Sequence, residues 1–257
     1  MTPTTRIAIV ALALAFGSAA YPQTAQEIVA GTDKVRNPAQ AFRSTLMLTE
    51  YVGGKERDHD TLALFSKENL VTRQFRNLVQ YIEPARDAGK TVLLDGRSLW
   101  FFDPASMLSV RISAQQRLIG QAAIGDILTV NLAVDYTAST LGTEKIEDAT
   151  RQPRQCWHLD LKAANDQAVY NRIEYWVEQG SFYPIKGKFY SDSGRLLKIL
   201  YFRKFTERLG SVRPAEAIII DAVDSALATT ATFGDDRFQD IPDAWFQRDY
   251  LPRLRIK

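Results

Sequence analysis

KTVLLDGRSLWFFDPASMLSVRIS, residues 90–113, is the stretch on which the fold turns. It reads as a strand, a tight turn, a second strand, a loop and a third strand. Asp95-Gly96 supplies the turn, because glycine tolerates the positive φ that a two-residue hairpin requires. Leu93-Leu94 on one side and Leu99-Trp100-Phe101-Phe102 on the other favour strands. Pro104 ends the second strand, having no amide proton for a ladder. Both parities of 99–102 are apolar, so both faces of the hairpin need cover. One face suits a core; the other needs helices, a partner or an apolar ligand.

Working outward, residues 23–35, QTAQEIVAGTDKV, predict an amphipathic helix with Ala25, Ile28, Val29 and Val35 on one stripe. Thr24 can cap it together with Glu27, and Asn37-Pro38 stops it. Three strands follow, 42–52, 57–66 and 70–82, separated by Gly53-Gly54 and Lys67-Glu68-Asn69, close enough in sequence to pair antiparallel. After the hairpin the pattern changes. Residues 113–134, SAQQRLIGQAAIGDILTVNLAV, hold only Arg117 and Asp126 as charges and show helical apolar spacing, broken at Gly120 and Gly125. They predict two short helices. These either pack simply on a sheet or form a movable lid hinged at the glycines, and the two are compatible. From Leu141 strands resume at hairpin spacing to about residue 233, with turn signals at Ala164-Asn165-Asp166, Gln179-Gly180, Asp192-Ser193-Gly194 and Leu209-Gly210. The total is about a dozen strands, with no repeat and no linker that marks a second domain.

The N-terminus is expected to lie outside the fold. Arg6, the apolar run 7–16 and Gly17-Ser18-Ala19-Ala20 predict a cleavable signal peptide over 1–20, against the alternative of a short buried helix. Ten apolar residues are too few to span a bilayer, which needs about 20. Residues 21–257 are then one exported domain. A net charge of +2 with basic residues spread along the chain gives no field for nucleic acid.

Chemistry-bearing patterns are sparse. The one cysteine, Cys156, is expected as a buried, inert thiol, although His158 shares its strand face. Asp58-His59-Asp60 and Asp235-Asp236 are expected as solvated charge rather than metal ligands. No phosphate loop or nucleophile elbow is present. Catalytic residues, metal and cofactor are therefore not expected, and binding is favoured over catalysis.

Leu94-Asp95-Gly96-Arg97-Ser98-Leu99-Trp100-Phe101-Phe102-Asp103-Pro104 resembles the DGxxLWFYxP hairpin of LolA, the periplasmic carrier of outer-membrane lipoproteins. Over residues 25–255 the chain is similar to the wider LolA-like group of outer membrane lipoprotein-sorting proteins. The phrases that carry this are YIEPARDAGK at 81–90, VRISAQQRLIGQ at 110–121, YWVE at 175–178 and SGRLLK at 193–198. The resemblance implies an α+β fold: an unclosed antiparallel β-barrel with an N-terminal helix and a helical lid over a concave apolar face. It implies a carrier that binds the acyl chains of a lipoprotein or lipid. Its partners would be an inner-membrane transporter and an outer-membrane acceptor, and it would act as a monomer. Some members of the group are thought to work beside RND-type exporters, so an accessory adaptor that carries nothing is the alternative. An envelope lipid hydrolase is a third class, lacking a partnered nucleophile here. In LolA an Arg preceding Pro-Asn-Leu latches the lid to the sheet. Lys67 stands at that position in Lys67-Glu68-Asn69-Leu70, so it is the latch candidate, without the planar fork of Arg. The expected ligand-binding residues are Leu118, Ile119, Ile124, Ile127 and Leu128 from the lid, with Trp100 and Phe102 from the hairpin. Leu99 and Phe101 are the other parity.

Overall fold

The computed structural model describes residues 23–95, 98–165 and 168–256. The predicted signal peptide, Gly96 of the hairpin turn and Asp166 lie outside the described residues. Helix α1 (Ala25–Arg36) begins as predicted: Thr24 and Glu27 form a reciprocal capping box, and Asn37 closes the far end on the Asp33 carbonyl. Six strands follow: β1 (Phe42–Val52), β2 (Lys55–Glu68), β3 (Phe75–Glu83), β4 (Thr91–Asp95), β5 (Ser98–Asp103) and β6 (Leu108–Arg111). A small excursion comes next, with β7 (Arg117–Ile119), β8 (Ala122–Ala123), α2 (Ile124–Ile127) and α3 (Leu132–Asp135). The chain returns through β9 (Tyr136–Glu147), β10 (Pro153–Ala163), β11 (Arg172–Glu178), β12 (Pro184–Tyr190), β13 (Leu196–Arg208), β14 (Ser211–Asp221) and β15 (Leu227–Phe238). Two 3-10 turns, Asp243–Phe246 and Arg248–Arg253, form the tail.

Thirteen strands make one antiparallel sheet in the order β6-β5-β4-β3-β2-β1-β15-β14-β13-β12-β11-β10-β9. Two meanders are thus joined where the first strand of the chain pairs with the last. The sheet curls and stays open. Leu99 of β5 and Leu161 of β10, from strands near its opposite edges, belong to one buried cluster with Leu46, Leu64, Leu200 and Ile219 from the middle. Helix α1 and the 117–135 excursion lie inside that curve, sharing the same cluster.

Strand alternation gives the outer face its own cover. Ala63, Phe65, Leu78, Leu93 and Phe102 pack beneath Ile241, Phe246, Leu251 and Leu254 of the tail. The tail is therefore a strap across the outside of the first meander. Cys156, Trp176 and Ile185 form a smaller outer cluster on the second.

The excursion differs from the predicted pair of helices. Its first half is a hairpin, with Arg117 opposite Ala123 and Ile119 opposite Ala122. Gly120 explains this: its φ of +51° suits a two-residue turn. It also lies flush on the sheet, because a Cβ there would sit 2.4 Å from Thr229 Oγ1. The Thr229 hydroxyl accepts the Gln121 N–H at 2.7 Å. The run is apolar on nearly every side, so its sequence spacing does not separate a helix from an extended hairpin held by the sheet.

Candidate functional site

Between the excursion and the inner face of the sheet lies a cavity of about 130 Å³. Gly125, Ile127, Leu128 and Leu132 line it from the excursion, and Leu64, Phe189, Leu200, Ala217, Ile219 and Ala231 line it from the sheet. The strands expose apolar side chains here because alternation turns every second residue inward. Among its polar lining residues, Arg36, Asn37, Arg208 and Arg213 lie around the C-terminal end of α1, and Asp126, Asp135 and Glu216 line it as well.

Of the residues expected from the sequence, Ile127 and Leu128 line this cavity. Ile119 and Ile124 are buried in the same inner cluster, and Leu118 packs against it half-buried. Trp100 and Phe102 are placed differently. They lie on the outer face beneath the tail strap, and the inward parity of β5 is Leu99 and Phe101. The cause is the strap. The second apolar face of the hairpin is covered by Leu251 and Leu254, which pack in the same outer cluster, and Arg248 stacks over the Trp100 ring.

Lys67 does not hold the excursion either. It shares the outward parity of Ala63 and Phe65, and its Nζ donates to Asp243 at 2.9 Å and to the Ile241 carbonyl at 3.1 Å. It fastens the strap. The tie between sheet and excursion is Lys198 of β13. Its Nζ donates to Asp126 Oδ2 at 2.6 Å and to the Gln121 carbonyl at 3.2 Å. Asp126 also accepts from the Ala123 N–H at 2.8 Å and from the Tyr170 hydroxyl at 2.6 Å. The two charged side chains are only 9% and 1% exposed.

Two further ties anchor the same segment. Asn77 of β3 accepts the Thr129 N–H and donates to the Thr129 carbonyl, with Ser66 bridging to both side chains. Asp33 of α1 accepts the Ala133 N–H, while Asn37 donates to Val130 and Asn131. The excursion is therefore a lid stitched to both meanders and to α1. Lys198 and Asn77 escaped the sequence reading. The available signal was a lone polar residue on an otherwise apolar strand parity: Lys198 with Leu200 and Phe202, and Asn77 with Phe75 and Val79.

The remaining chemistry-bearing residues lie away from the cavity or are engaged. Cys156 is fully buried, and burial pushes its thiol up to about 12, far from a reactive thiolate. His158 stacks on Trp176 between Glu144 and Glu174 on the outer face. Asp236 is bound by Ser44 and Arg208, and burial holds Asp60 up to about 6.

Comparison with known proteins agrees with this architecture. A family model described as an uncharacterized protein matches residues 73–253. No curated protein matches the chain. Among solved structures, a LolA superfamily protein from Nitrosomonas europaea is 33% identical, with a TM-score of 0.78 over 89% of this chain and 100% of that one. A DUF1329 family protein from Desulfovibrio piger (19% identity, TM-score 0.74) aligns over 88% of this chain and 97% of its own. A domain described as an outer membrane lipoprotein-sorting protein domain, from Vibrio parahaemolyticus (18%, 0.74), aligns over 89% and 98%. The latter two share the fold.

Proposed function

Because this chain belongs to the LolA superfamily, we propose that it is a periplasmic carrier that shelters the acyl chains of a lipid or lipoprotein beneath the lid and delivers them toward the outer membrane. The lid-covered apolar cavity is the observation that carries this reading. At about 30 Å³ of liquid volume per water, 130 Å³ takes roughly four waters. A methylene displaces roughly the space of one water, so the closed cavity admits part of a sixteen-carbon chain. The rest of the room is occupied by Ile119, Ile124, Ile127 and Leu128 of the lid itself. Cargo then has to displace lid side chains. Burying a sixteen-carbon chain gains about 12 kcal/mol at about 0.8 kcal/mol per methylene. Uncovering the lid offsets much of that, so net affinity is a difference between two burials, weak enough for release. The site binds and releases; no catalytic role is assigned to it.

Mass spectrometry of lipids extracted from protein purified out of its native envelope tests this. Acyl lipid is expected at near-stoichiometric amounts in the wild type, and several-fold less in Ala217→Phe, which fills the cavity. Circular dichroism of the variant should be unchanged. Wild-type protein that carries no acyl lipid and takes up no apolar fluorescent probe would overturn the reading.

A further inference from the structure

The arginine end of the cavity carries a guanidinium with no carboxylate in contact with it. Arg208 lies bidentate on Asp236, and Arg36 pairs with Asp33 at 3.3 Å. Arg213, only 6% exposed, is different. Its Nε donates to the Arg208 carbonyl and its Nη1 to the carbonyls of Lys34 and Val35, the last turn of α1. Among the described residues no carboxylate lies within 4 Å of it, and Nη2 makes no hydrogen bond. Capping a helix C-terminus accounts for two of those contacts. It does not supply the anion that a desolvated guanidinium ordinarily keeps beside it. Burial and the neighbouring Arg208 press the Arg213 pKa downward, and the more distant Asp236 carboxylate offsets only part of this.

A second observation falls in the same corner. Tyr175 lines the cavity, is 1% exposed, and its hydroxyl has no hydrogen-bond partner. The Thr32 hydroxyl on α1 is buried beside it, and Thr32 and Arg36 are the side chains within reach of the Tyr175 hydroxyl, neither in a well-formed hydrogen bond. Buried polar atoms are nearly always satisfied, so a hydroxyl held this loosely is available as a donor to an acceptor that enters this corner. The carboxylates that line the cavity are engaged elsewhere. Asp126 holds Lys198, Asp135 accepts from Gln74, and Glu216 holds Arg203 and Lys204.

We propose that the cargo is an anionic amphiphile, a long acyl chain bearing a carboxylate or a phosphate, whose head meets Arg213 Nη2 and the Tyr175 hydroxyl while its chain runs along Ile127, Leu128 and Ile219. The proposal rests on the carrier reading and narrows it to cargo whose head is charged.

The test uses delipidated full-length mature protein carrying the neutral probe N-phenyl-1-naphthylamine. The probe is displaced in turn by palmitate, 1-palmitoyl lysophosphatidate and the uncharged monopalmitoylglycerol at pH 7.5. At least one anion is expected to bind about tenfold or more tighter than the neutral lipid, and the tighter anion identifies carboxylate or phosphate as the head. Arg213→Met should bring the anions down to the neutral level, Arg213→Lys should restore part of the difference, and Tyr175→Phe should weaken the anions alone. Tyr175→Phe removes one hydroxyl and serves where Arg213→Met is too unstable to assay. Equal affinity for all three lipids in the wild type, or an equal loss for all three in Tyr175→Phe, would overturn the proposal and leave the carrier reading standing. Displacement by none of them would overturn both.

Discussion

Asp33 shows how one side chain couples α1, the lid and pH. It is buried, with Arg36 on one carboxylate oxygen and the Ala133 N–H on the other. Burial outweighs both donors and pushes its pKa up to about 6. An unfolded aspartate releases its proton near pH 3.9. Between those values the folded protein holds a proton that the unfolded chain has lost, so stability falls as pH rises through that window. The favourable contribution is complete below about pH 3.9 and gone above about pH 6, a difference on the order of 3 kcal/mol. Asp33→Asn keeps an acceptor for Ala133 and removes the titration. Urea unfolding should show the variant gaining on the wild type between pH 4.5 and pH 8. An identical offset at both pH values would sink this account. At this scale the sequence was legible where a residue acts locally, as in the Thr24–Glu27 cap. It was not legible where the choice depends on distant cover. Trp100 and Leu99 are both apolar, and only the tail strap, some 140 residues on, decides which one faces outward.

The lid is the element on which the proposed carriage depends, and Lys198–Asp126 is its buried ion pair with the sheet. An ion pair this buried contributes little net stability against an apolar replacement, yet removing one partner strands the other charge. Lys198→Met alone should therefore cost about 3 kcal/mol or more, and Asp126→Asn in the same chain should recover part of that loss. The same double variant should take up an apolar probe faster, because Asn77 and Asp33 still anchor the lid while its hairpin end is freed. Stopped-flow uptake and hydrogen exchange over residues 117–135 check this. Uptake no faster than the wild type would show that the pair only props the sheet. The lid's greasiness and its place after the hairpin were readable from composition. Its form was not, because Gly120 and Gly125 serve close approach to Thr229 and Val169 rather than simply interrupting helices.

Across the whole molecule, the turns between neighbouring strands were readable, and the resemblance supplied the open barrel. The join of β1 to β15 left no local signal, because it pairs residues nearly 200 positions apart, Phe42 with Phe238 at one end. That join makes the two meanders one sheet, and the inner cluster draws on both. One cooperative unit is the consequence, and the tryptophans can test it. Trp100 and Trp245 report on the first meander and its strap, Trp157 and Trp176 on the second. In the variant with Trp100 and Trp245 changed to Phe, and in the complementary one, fluorescence and far-UV circular dichroism should give the same urea midpoint within each protein. The shared core enforces this, since losing either meander uncovers the lid and α1 against the other. Separate midpoints in either variant would divide the chain into two units and overturn the single shared core.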